Sequence, residues 1–436
     1  MNGTDDEPDG DGRVDDEGDG DGRVDDGGDG DDGHGHGEIT PLRAAAERVR
    51  DLREEWLDRW DVESVSLDRV SGRTLAEPVD APDDVPARSH ATMDGYAFDA
   101  TEGYPYELVD REVFPESDPS ALGDGEAVRI FTGAPLPAGA DAVLKQEQAT
   151  VEDGRLDGSP TEPGTYVYER GSNVAAGERL FAAGERLGAK DAVLLGDLGI
   201  DEVPVVERLS VGLLATGTEI HEGRHADLDS PMLAGLVRGW GAEATYEGTV
   251  PDEYERVRDR IAGLAAGHDV VMTTGGTSVG DKDYVVRALR ELGTVRFHRV
   301  ALRPGKPIAV ATLDDRDAVV FAIPGKPVGA HAVTSLVARP FFTGNTALPT
   351  VDAAVTSDVG ISVPGFTYAV PVTLDGGEAT PLGHVDSPLA VYDETFDPSV
   401  LSSSTRATRA DGFVLTESAL SAGEAVDVVP YPVVER

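Results

Sequence analysis

Two basic turns of the sequence could together hold an anion. In the segment RPGKPIAV, Arg303 and Lys306 flank a Pro-Gly turn, and the tetrapeptide PGKP recurs 20 positions later in AIPGKPVGA. Proline restricts the backbone of such a turn, so a guanidinium and an ammonium group held there can form a clamp for an oxyanion. We expect both turns to face one pocket, with Pro324, Gly325 and Lys326 contributed by the second turn.

A glycine-rich segment, TTGGTSVGDKDY at residues 273–284, lies upstream of the two turns. Its glycines let backbone N–H groups approach a phosphate or an oxyanion, and the helix expected after it attracts negative charge at its N-terminus. Asp281 and Asp283 follow the glycines directly. Acidic side chains beside an anion are reasonable if a divalent cation joins them to it. The segment therefore predicts an anion site with a metal ion.

The elements that position these turns alternate between strands and helices from about residue 207 to residue 345. The predicted strands are LSVGLLAT, DVVMTT and AVVFAI, and the predicted helices cover 231–240, 252–266, about 283–292 and 328–339. Ser230 is the expected N-cap of the first helix, with Pro231 at its first position. Repeated βα units predict a doubly wound, mainly parallel sheet. Ligands bind beyond the carboxyl ends of such strands, where ATGTEI also places Glu219.

The rest of the chain is organised around this α/β unit. Residues 1–37 form a low-complexity Asp/Gly tail that we expect to be disordered. Residues 38–206 combine a helix at about 41–58, with Thr40 as its N-cap and Pro41 first, with strand patterns that indicate small β domains, one inserted at about 80–148. Residues 346–436 return to strand patterns and predict a C-terminal β domain. The predicted fold class is therefore multidomain, α/β plus β.

The net charge of −45 is spread along the chain. The 15 acidic residues and two arginines of residues 1–37 account for −13, so −32 remains for the rest. Such an excess suits a protein that works at very high salt, where self-repulsion is screened, and it argues against nucleic acid as a partner. The sequence has no cysteine, which excludes disulfides and thiolate metal sites. It has no run of about 18 apolar residues, so no membrane partner is expected, and the acidic N-terminus predicts a cytoplasmic protein.

Several segments, taken together and in order, resemble the MoeA family of molybdopterin molybdenumtransferases, whose relatives include the E domain of gephyrin and that of its plant counterpart. They are VSGRTLAEPVDAPDDVPARSHATMDGYA, RIFTGAPLPAGADAV, GSNVAAGERL, LLGDLGIDEVPV, TTGGTSVGDKDY and RPGKP. The resemblance runs from about residue 40 to the C-terminus. It implies an elongated homodimer in which the Mog-like α/β domain of one subunit faces the MDGYA segment of the other.

The resemblance also implies the reaction, in which adenylylated molybdopterin and molybdate give molybdenum cofactor and AMP, with Mg²⁺ as the cofactor. Asp94 and Thr132 of one subunit would reach the pocket of the other. The residues implied to cradle phosphate and oxyanion are Thr274, Gly275, Gly276, Thr277, Ser278 and Gly280. Arg303 and Lys306 would hold molybdate. The implied carboxylates are Glu219, Asp252, Asp281 and Asp283, with Asp252 and Asp283 as metal ligands.

The sequence departs from the family pattern at several of these positions. Arg303 stands where the family has lysine, DSP replaces DSN at 229–231, and PGKPVG replaces PGNPVS at 324–329. Lys326 thus adds a cation three residues before Gly329, where a hydroxyl is missing. The C-terminal GSG-like turn is replaced by SSSTRATRADG, which still offers Ser403.

These departures leave alternatives open. Tungstate could replace molybdate as the substrate. The shared α/β domain is also compatible with a Mog-type molybdopterin adenylyltransferase, and the altered PGKPVG with a non-catalytic molybdopterin-binding paralogue. A Mog-type enzyme and the apo-molybdoenzymes that receive the cofactor are the expected macromolecular partners besides the second subunit.

Overall fold

The computed structural model of the chain describes residues 39–276 and 283–436. The acidic segment 1–37 lies outside these ranges. The predicted site residues Thr277, Ser278, Gly280 and Asp281 also lie outside them, so their roles stay predictions.

The first helix, α1 (Leu42–Trp56), forms because apolar residues recur on one face. Ala45, Val49 and Trp56 of that face are completely buried. The prediction of Thr40 as the N-cap is wrong, since Pro41 occupies that position and no side chain caps the helix. The Thr40 backbone forms instead an isolated parallel bridge with Val300, which ties the start of α1 to the central part of the chain.

Short strands and one further helix make up the remainder of the region to residue 206. They are β1 (Val62–Ser66), β2 (Val79–Asp80), β3 (His90–Ala91), β4 (Gly95–Phe98), β5 (Tyr106–Val113), β6 (Glu126–Ile130), β7 (Ala142–Lys145), β8 (Ala149–Glu152), β9 (Arg155–Gly158), β10 (Val167–Tyr168), β11 (Arg179–Phe181), α2 (Asp191–Asp197) and β12 (Glu202–Val206). Six of the strands form one sheet in the order β7-β4-β6-β5-β9-β8. Gly95 on β4 pairs with Ile130 on β6, so the turns just beyond these residues are neighbours.

The central region contains the predicted α/β unit. Its elements are β13 (Ser210–Thr216), α3 (Thr218–His221), α4 (Asp229–Gly239), β14 (Glu243–Val250), α5 (Tyr254–Leu264), β15 (Val270–Thr274), α6 (Tyr284–Leu292), β16 (Thr294–His298), β17 (Leu302–Arg303), β18 (Ala309–Leu313), β19 (Ala318–Ile323), α7 (Pro327–Val333) and α8 (Arg339–Thr343). A π-helical turn, Thr334–Ala338, joins α7 to α8. Helix α4 begins at Asp229, so Ser230 lies inside it and is not the predicted N-cap; its N–H donates to Asp227 Oδ1 at 3.0 Å.

The central sheet has the strand order β14-β13-β15-β19-β18-β16. The first four strands are parallel, whereas β18 and β16 are joined antiparallel, so the predicted mainly parallel sheet has an antiparallel edge. Alternate residues of β19 face opposite sides: Phe321 packs with helices α4 and α7, and Val320 packs with α5 and α6. Helices therefore cover both faces, as predicted for a doubly wound sheet.

The C-terminal region is a closed β-barrel. Its elements are β20 (Val351–Val355), β21 (Thr367–Asp375), β22 (Glu378–Pro381), α9 (Pro398–Leu401), β23 (Gly412–Thr416), β24 (Ala425–Pro430) and α10 (Tyr431–Val434). The ring runs β21-β22-β20-β24-β23 and returns to β21, and β17 of the central region adds to β21. The predicted α/β plus β multidomain class is confirmed. No helix in the described ranges has the length and apolarity to cross a bilayer.

Candidate functional site

A cavity of about 180 Å³ opens at the carboxyl ends of β13, β15 and β19, where the sequence predicts a ligand. Three segments with predicted roles meet there, namely the ATGTEI turn, the TTGG turn and the second PGKP turn. The residues that line it include Thr216, Gly217, Glu219, Asp227, Asp229, Asp252, Thr274, Gly275, Gly276 and Gly325.

The TTGG turn has a shape that only glycine allows. Gly275 and Gly276 have φ values of 79° and 64°, in the left-handed region. A side-chain carbon added to Gly275 would lie 2.9 Å from the Thr216 carbonyl oxygen, and one added to Gly276 would lie 2.7 Å from Val285 Cγ2. The hydroxyl of Thr216 donates to the Thr274 carbonyl oxygen at 2.8 Å and so holds the residue directly before the two glycines. The Gly275 N–H donates to the Ile323 carbonyl oxygen at 3.0 Å, which joins the turn to the end of β19.

The second PGKP turn packs directly on the TTGG turn. A side-chain carbon added to Gly325 would lie 3.1 Å from Gly275 Cα. Pro324 is buried at the strand end, whereas Lys326 is exposed. The ammonium group of Lys326 donates to the Ser399 carbonyl oxygen at 3.2 Å, and Lys326 is not among the residues that line the cavity. The predicted contribution of Lys326 to anion binding stays a prediction.

The first PGKP turn brings its two cations to one aromatic ring. The Arg303 guanidinium lies 4.4 Å from the ring centroid of Phe366, and Lys306 Nζ lies 5.7 Å from the same centroid. Arg303 Nε is buried and has no hydrogen-bond partner in the described part of the chain. Such a donor is costly unless an acceptor reaches it. Neither Arg303 nor Lys306 is among the residues that line the cavity, so the predicted oxyanion clamp and the pocket shared by both turns stay predictions.

The two PGKP turns meet at the start of α7. A side-chain carbon added to Gly305 would lie 3.2 Å from the Gly329 carbonyl oxygen, and one added to Gly329 would lie 3.4 Å from Gly305 N. The Val328 N–H on the same turn of α7 donates to the Ser402 carbonyl oxygen at 3.1 Å. Ser403 follows as an exposed residue, so the C-terminal serine segment also approaches this helix start.

Two predicted carboxylates line the cavity. Glu219 lies on the short helix α3, and Asp252 lies at the end of β14. Asp252 and Thr218 form two reciprocal hydrogen bonds. The Thr218 N–H donates to Asp252 Oδ2 at 3.2 Å, and the Asp252 N–H donates to Thr218 Oγ1 at 3.0 Å. This exchange fixes Asp252 toward the turn that carries Glu219.

Sequence reasoning missed two further carboxylates of the cavity, Asp227 and Asp229. Asp227 Oδ2 and Asp229 Oδ1 are buried without a hydrogen-bond partner among the described residues. Burial, together with the charge of Asp227, raises the pKa of Asp229 to about 6. The D-x-D spacing in DLDSP was the available signal, because it puts two acids just before a helix at a strand end.

Asp283 has a structural role in the described conformation and is not among the lining residues. It is the N-cap of α6 and accepts a hydrogen bond from the Val286 N–H at 3.2 Å. His298 Nε2 lies 3.9 Å from Asp283 Oδ2, which is too far for a hydrogen bond. Burial raises the pKa of Asp283 and lowers the pKa of His298 to about 4, so both groups are driven toward their neutral forms. Its predicted role as a metal ligand remains a prediction.

Asp94 and Thr132 are brought together, but not to this cavity. Asp94 directly precedes β4 and Thr132 follows β6, so the antiparallel pairing of these strands places the two residues side by side. Both are exposed. Asp94 Oδ1 accepts from the Thr132 N–H and from Thr132 Oγ1, each at 2.7 Å. The hydrogen bond from the Thr132 N–H is the largest cause that holds the pKa of Asp94 below its usual range. Neither residue lines the cavity of its own chain.

The described donor groups suit Mg²⁺ only if a substrate completes its coordination. No cluster of three or more His, Asp or Glu side chains in the described ranges has the spacing of a metal site. Magnesium commonly takes one or two carboxylates together with substrate phosphate oxygens. Either Asp252 or the neighbouring pair Asp227 and Asp229 can supply such a share, since these residues line the cavity beside the TTGG turn.

Comparisons with known proteins agree with this architecture. Residues 40–199 match the family described as the MoeA N-terminal region (domain I and II), and residues 212–344 match a probable molybdopterin binding domain. A molybdopterin molybdenumtransferase of Nostoc is 33% identical over 67% of this chain and 72% of its own length. One from Synechococcus elongatus is 32% identical over 64% of this chain and 74% of its own length. The molybdopterin biosynthesis MoeA protein of Pyrococcus horikoshii superposes with a TM-score of 0.66 at 29% identity, covering 90% of this chain and 99% of that one.

Proposed function

The chain belongs to the MoeA family, and on that premise we propose that it is a molybdopterin molybdenumtransferase, which inserts molybdate into adenylylated molybdopterin and releases AMP. The observation that carries this proposal is the packing of the second PGKP turn on the TTGG turn at a cavity lined by carboxylates. The first PGKP turn, with its pair of cations, packs on α7 directly after the second turn.

The cations have the role of holding the oxyanion. Arg303 and Lys306 would neutralise the charge of molybdate while the dithiolene sulfurs of the substrate replace molybdate oxygens, which take up protons and leave as water. Arg303 Nε has no hydrogen-bond acceptor among the described residues, and a molybdate oxygen would accept its hydrogen bond. The Phe366 ring beneath both side chains limits their motion, so the clamp is ordered before molybdate arrives.

The TTGG turn and the carboxylates act on the adenylate. The backbone N–H of Gly276 would orient its phosphate at the strand ends, whereas the Gly275 N–H donates to the Ile323 carbonyl oxygen at 3.0 Å. Asp252, or the neighbouring pair Asp227 and Asp229, would hold Mg²⁺ against that phosphate. When bound, Mg²⁺ withdraws charge from the phosphate as the bond to AMP is cleaved. Glu219 lies beside Asp252 in the cavity and would orient water.

Asp94 and Thr132 would act in a second subunit. Both are exposed, already hydrogen-bonded to one another, and absent from the cavity of their own chain. In a homodimer, this pair would lie at the rim of the other subunit's cavity and could contact the substrate there, which it cannot do within its own chain.

Release of AMP tests the proposed function. The purified protein is incubated with adenylylated molybdopterin, Mg²⁺ and molybdate at high salt, and AMP and molybdenum cofactor are quantified. We expect both products, and parallel incubations with tungstate measure the metal preference. Formation of adenylylated molybdopterin from ATP and molybdopterin, without AMP release in the first assay, would instead identify an adenylyltransferase. No product in either assay would identify a non-catalytic binding protein.

Mixing two impaired variants, assayed at a molybdate concentration far below the KM of Arg303→Met, tests the shared site. Asp94→Asn and Arg303→Met subunits, unfolded and refolded together, form mixed dimers with one intact site each. Random pairing then restores about a quarter of the wild-type sites. If the mixture stays as inactive as either parent, Asp94 does not act across a subunit boundary.

A further inference from the structure

Four arginine side chains gather in a cleft that the proposed reaction does not use. They are Arg53 on α1, Arg73, Arg186 and Arg208, and together they are called the arginine cluster. Arg53 and Arg73 are 3% and 4% exposed, although the chain as a whole carries a net charge of −45. Arg53, Arg73 and Arg208 line one small cavity. A side-chain carbon added to Gly241, which also lines it, would lie 3.6 Å from Arg186 Nη2 and 3.7 Å from Arg208 Nη1.

Carboxylates neutralise only one member of the cluster. Arg73 pairs with Glu63 at 2.5 Å. Arg53 donates to Thr74 Oγ1 and to the Gly184 carbonyl oxygen, at 3.1 and 3.0 Å.

Arg186 and Arg208 likewise donate to carbonyl oxygens, those of Gly72 at 3.4 Å and Gly241 at 2.7 Å. Within the described ranges, Arg53, Arg186 and Arg208 have no carboxylate within 4.0 Å, including that of Glu207, which also lines the cavity. These three guanidinium groups therefore form no close ion pair in the described ranges, although Glu54 acts on Arg53 and Glu63 acts on the exposed Arg208 from farther away.

Mutual repulsion shows that these charges act on one another. Burial lowers the pKa of Arg53 to about 10; nearby Glu54 opposes that shift and Arg186 adds to it. Burial also lowers the pKa of Arg186, and Arg208 adds to that shift. Like charges brought together and partly removed from water destabilise the fold unless a counter-charge is present.

Trp60 supplies an independent observation at the same cavity. Trp60 lines this cavity and also a second one beside Leu57 and Val62, and its Nε1–H is buried without a hydrogen-bond partner in the described part of the chain. Buried N–H groups normally have an acceptor. The cluster and the indole are all donors, so the missing component is an acceptor that also carries negative charge.

The volume of the cavity limits what that component is. It measures about 40 Å³, which is space for roughly three water-sized particles. A nucleotide, a pterin or a peptide side chain with its backbone is too large. A halide or a tetrahedral oxyanion has the right scale.

We propose that this cleft binds one small inorganic anion, surrounded by Arg53, Arg73 and Arg208 and hydrogen-bonded by the Trp60 Nε1–H. The cavity walls come from both sides of the cleft, with Thr74 and Val206 on one side and Trp240 and Phe341 on the other. The anion therefore stabilises the packing of the N-terminal region on the central sheet. This site is separate from the molybdate clamp, and its occupancy does not depend on the proposed reaction.

Anomalous diffraction locates the anion and identifies its class. Crystals of the full chain grown in potassium glutamate, whose anion is too large for the cavity, are soaked with bromide or with selenate in separate experiments. We expect an anomalous peak between Trp60 Nε1 and the arginine cluster in one of the two soaks. A peak with bromide identifies a halide site, and a peak with selenate identifies an oxyanion site. Crystals with no peak in the cleft from either ion would overturn the proposal.

Thermal unfolding then measures the contribution of each donor. Potassium chloride or potassium phosphate replaces potassium glutamate at constant potassium concentration, and the unfolding temperature gives the apparent anion affinity. Trp60→Phe removes the N–H and keeps the ring, while Arg208→Gln removes an exposed charge. Each should weaken the affinity by about tenfold. Arg256→Gln, at an exposed arginine on α5, is the control and should keep the wild-type affinity. An identical anion response in all four proteins would contradict the proposal.

Discussion

Asp94 Oδ1 accepts two hydrogen bonds from Thr132, from its backbone N–H and its hydroxyl, each at 2.7 Å, although 38 positions separate the residues. This carboxylate is exposed and its pKa is lowered, so it is ionised throughout the working pH range. Asp94→Asn should lower the rate of AMP release by about 100-fold and leave the unfolding temperature nearly unchanged. Asp99→Asn is the matched control, because Asp99 Oδ1 accepts the same two kinds of hydrogen bond from Thr101, at 2.9 and 2.6 Å. Equal loss of activity in both variants would assign Asp94 a merely structural role.

Arg303 should determine the affinity for molybdate. Arg303→Met removes the charge and the orphaned Nε, so the KM for molybdate should rise by about 10- to 100-fold. Arg303→Lys keeps the charge, so its KM for molybdate should rise much less. Arg59→Met provides a control, since the Arg59 guanidinium lies 4.5 Å from the Trp56 ring centroid, a contact like that of Arg303 with Phe366. A KM for Arg303→Met that matches the Arg59→Met value would exclude Arg303 from the clamp.

The TTGG turn should not tolerate a side chain at Gly275. Gly275→Ala brings both backbone strain and a contact at 2.9 Å with the Thr216 carbonyl oxygen. Gly154 has almost the same φ, 78° against 79°, but nothing lies within 4 Å of an added carbon. Gly154→Ala should therefore cost only the strain, about 1 kcal/mol, and Gly275→Ala about 2 kcal/mol more in the free energy of unfolding. Chemical denaturation of the two variants measures the difference; similar costs would show that the turn relaxes freely.

Asp229 should make the protein less stable as the pH rises. Its folded pKa of about 6 lies above the usual value of about 3.9, so the folded state binds more protons than the unfolded state between these values. Relative to Asp229→Asn, the wild type should lose stability from about pH 4 to pH 6 and then stay level. Mg²⁺ should recover part of this loss in the wild type.

Asp397 should show the opposite dependence of stability on pH. The hydrogen bond from the Ser399 side chain lowers its pKa. Relative to Asp397→Asn, the wild type should therefore lose stability as the pH falls. Unfolding temperatures across the pH range distinguish the two cases. A wild type and Asp229→Asn with parallel profiles would show that Asp229 is not protonated in the folded protein.

Lys326 should contribute less to binding of the oxyanion than its place in the second PGKP turn indicates. Its ammonium group is held by the Ser399 carbonyl oxygen, so Lys326→Asn should change the KM for molybdate by less than about twofold and the unfolding free energy by about 1 kcal/mol or less. Lys306→Met, on the first turn, gives the comparison and should raise the KM clearly. A large KM effect of Lys326→Asn would show that the side chain turns into the cavity during the reaction.

The sequence by itself determined the features that depend on neighbouring residues. The alternation of strands and helices indicated the doubly wound sheet, because hydrophobic periodicity is read over a few turns of chain. The TTGG turn could be predicted as an anion cradle because glycine alone tolerates its backbone shape. Arg303 and Lys306 were recognisable because a rigid turn fixes their separation, whatever surrounds them. The order of the motifs indicated the family.

Only the tertiary structure decided which distant groups meet. Lys326 and Ser399 are 73 positions apart, and their contact depends on how the barrel docks on α7. Phe366 comes from the barrel to lie under Arg303, and no local pattern predicts that ring. The oxygens of Asp227 and Asp229 and the Trp60 N–H, which lack a partner among the described residues, are likewise consequences of burial. Burial is produced by packing of whole regions, and the sequence records it only as residue types that could equally have faced solvent.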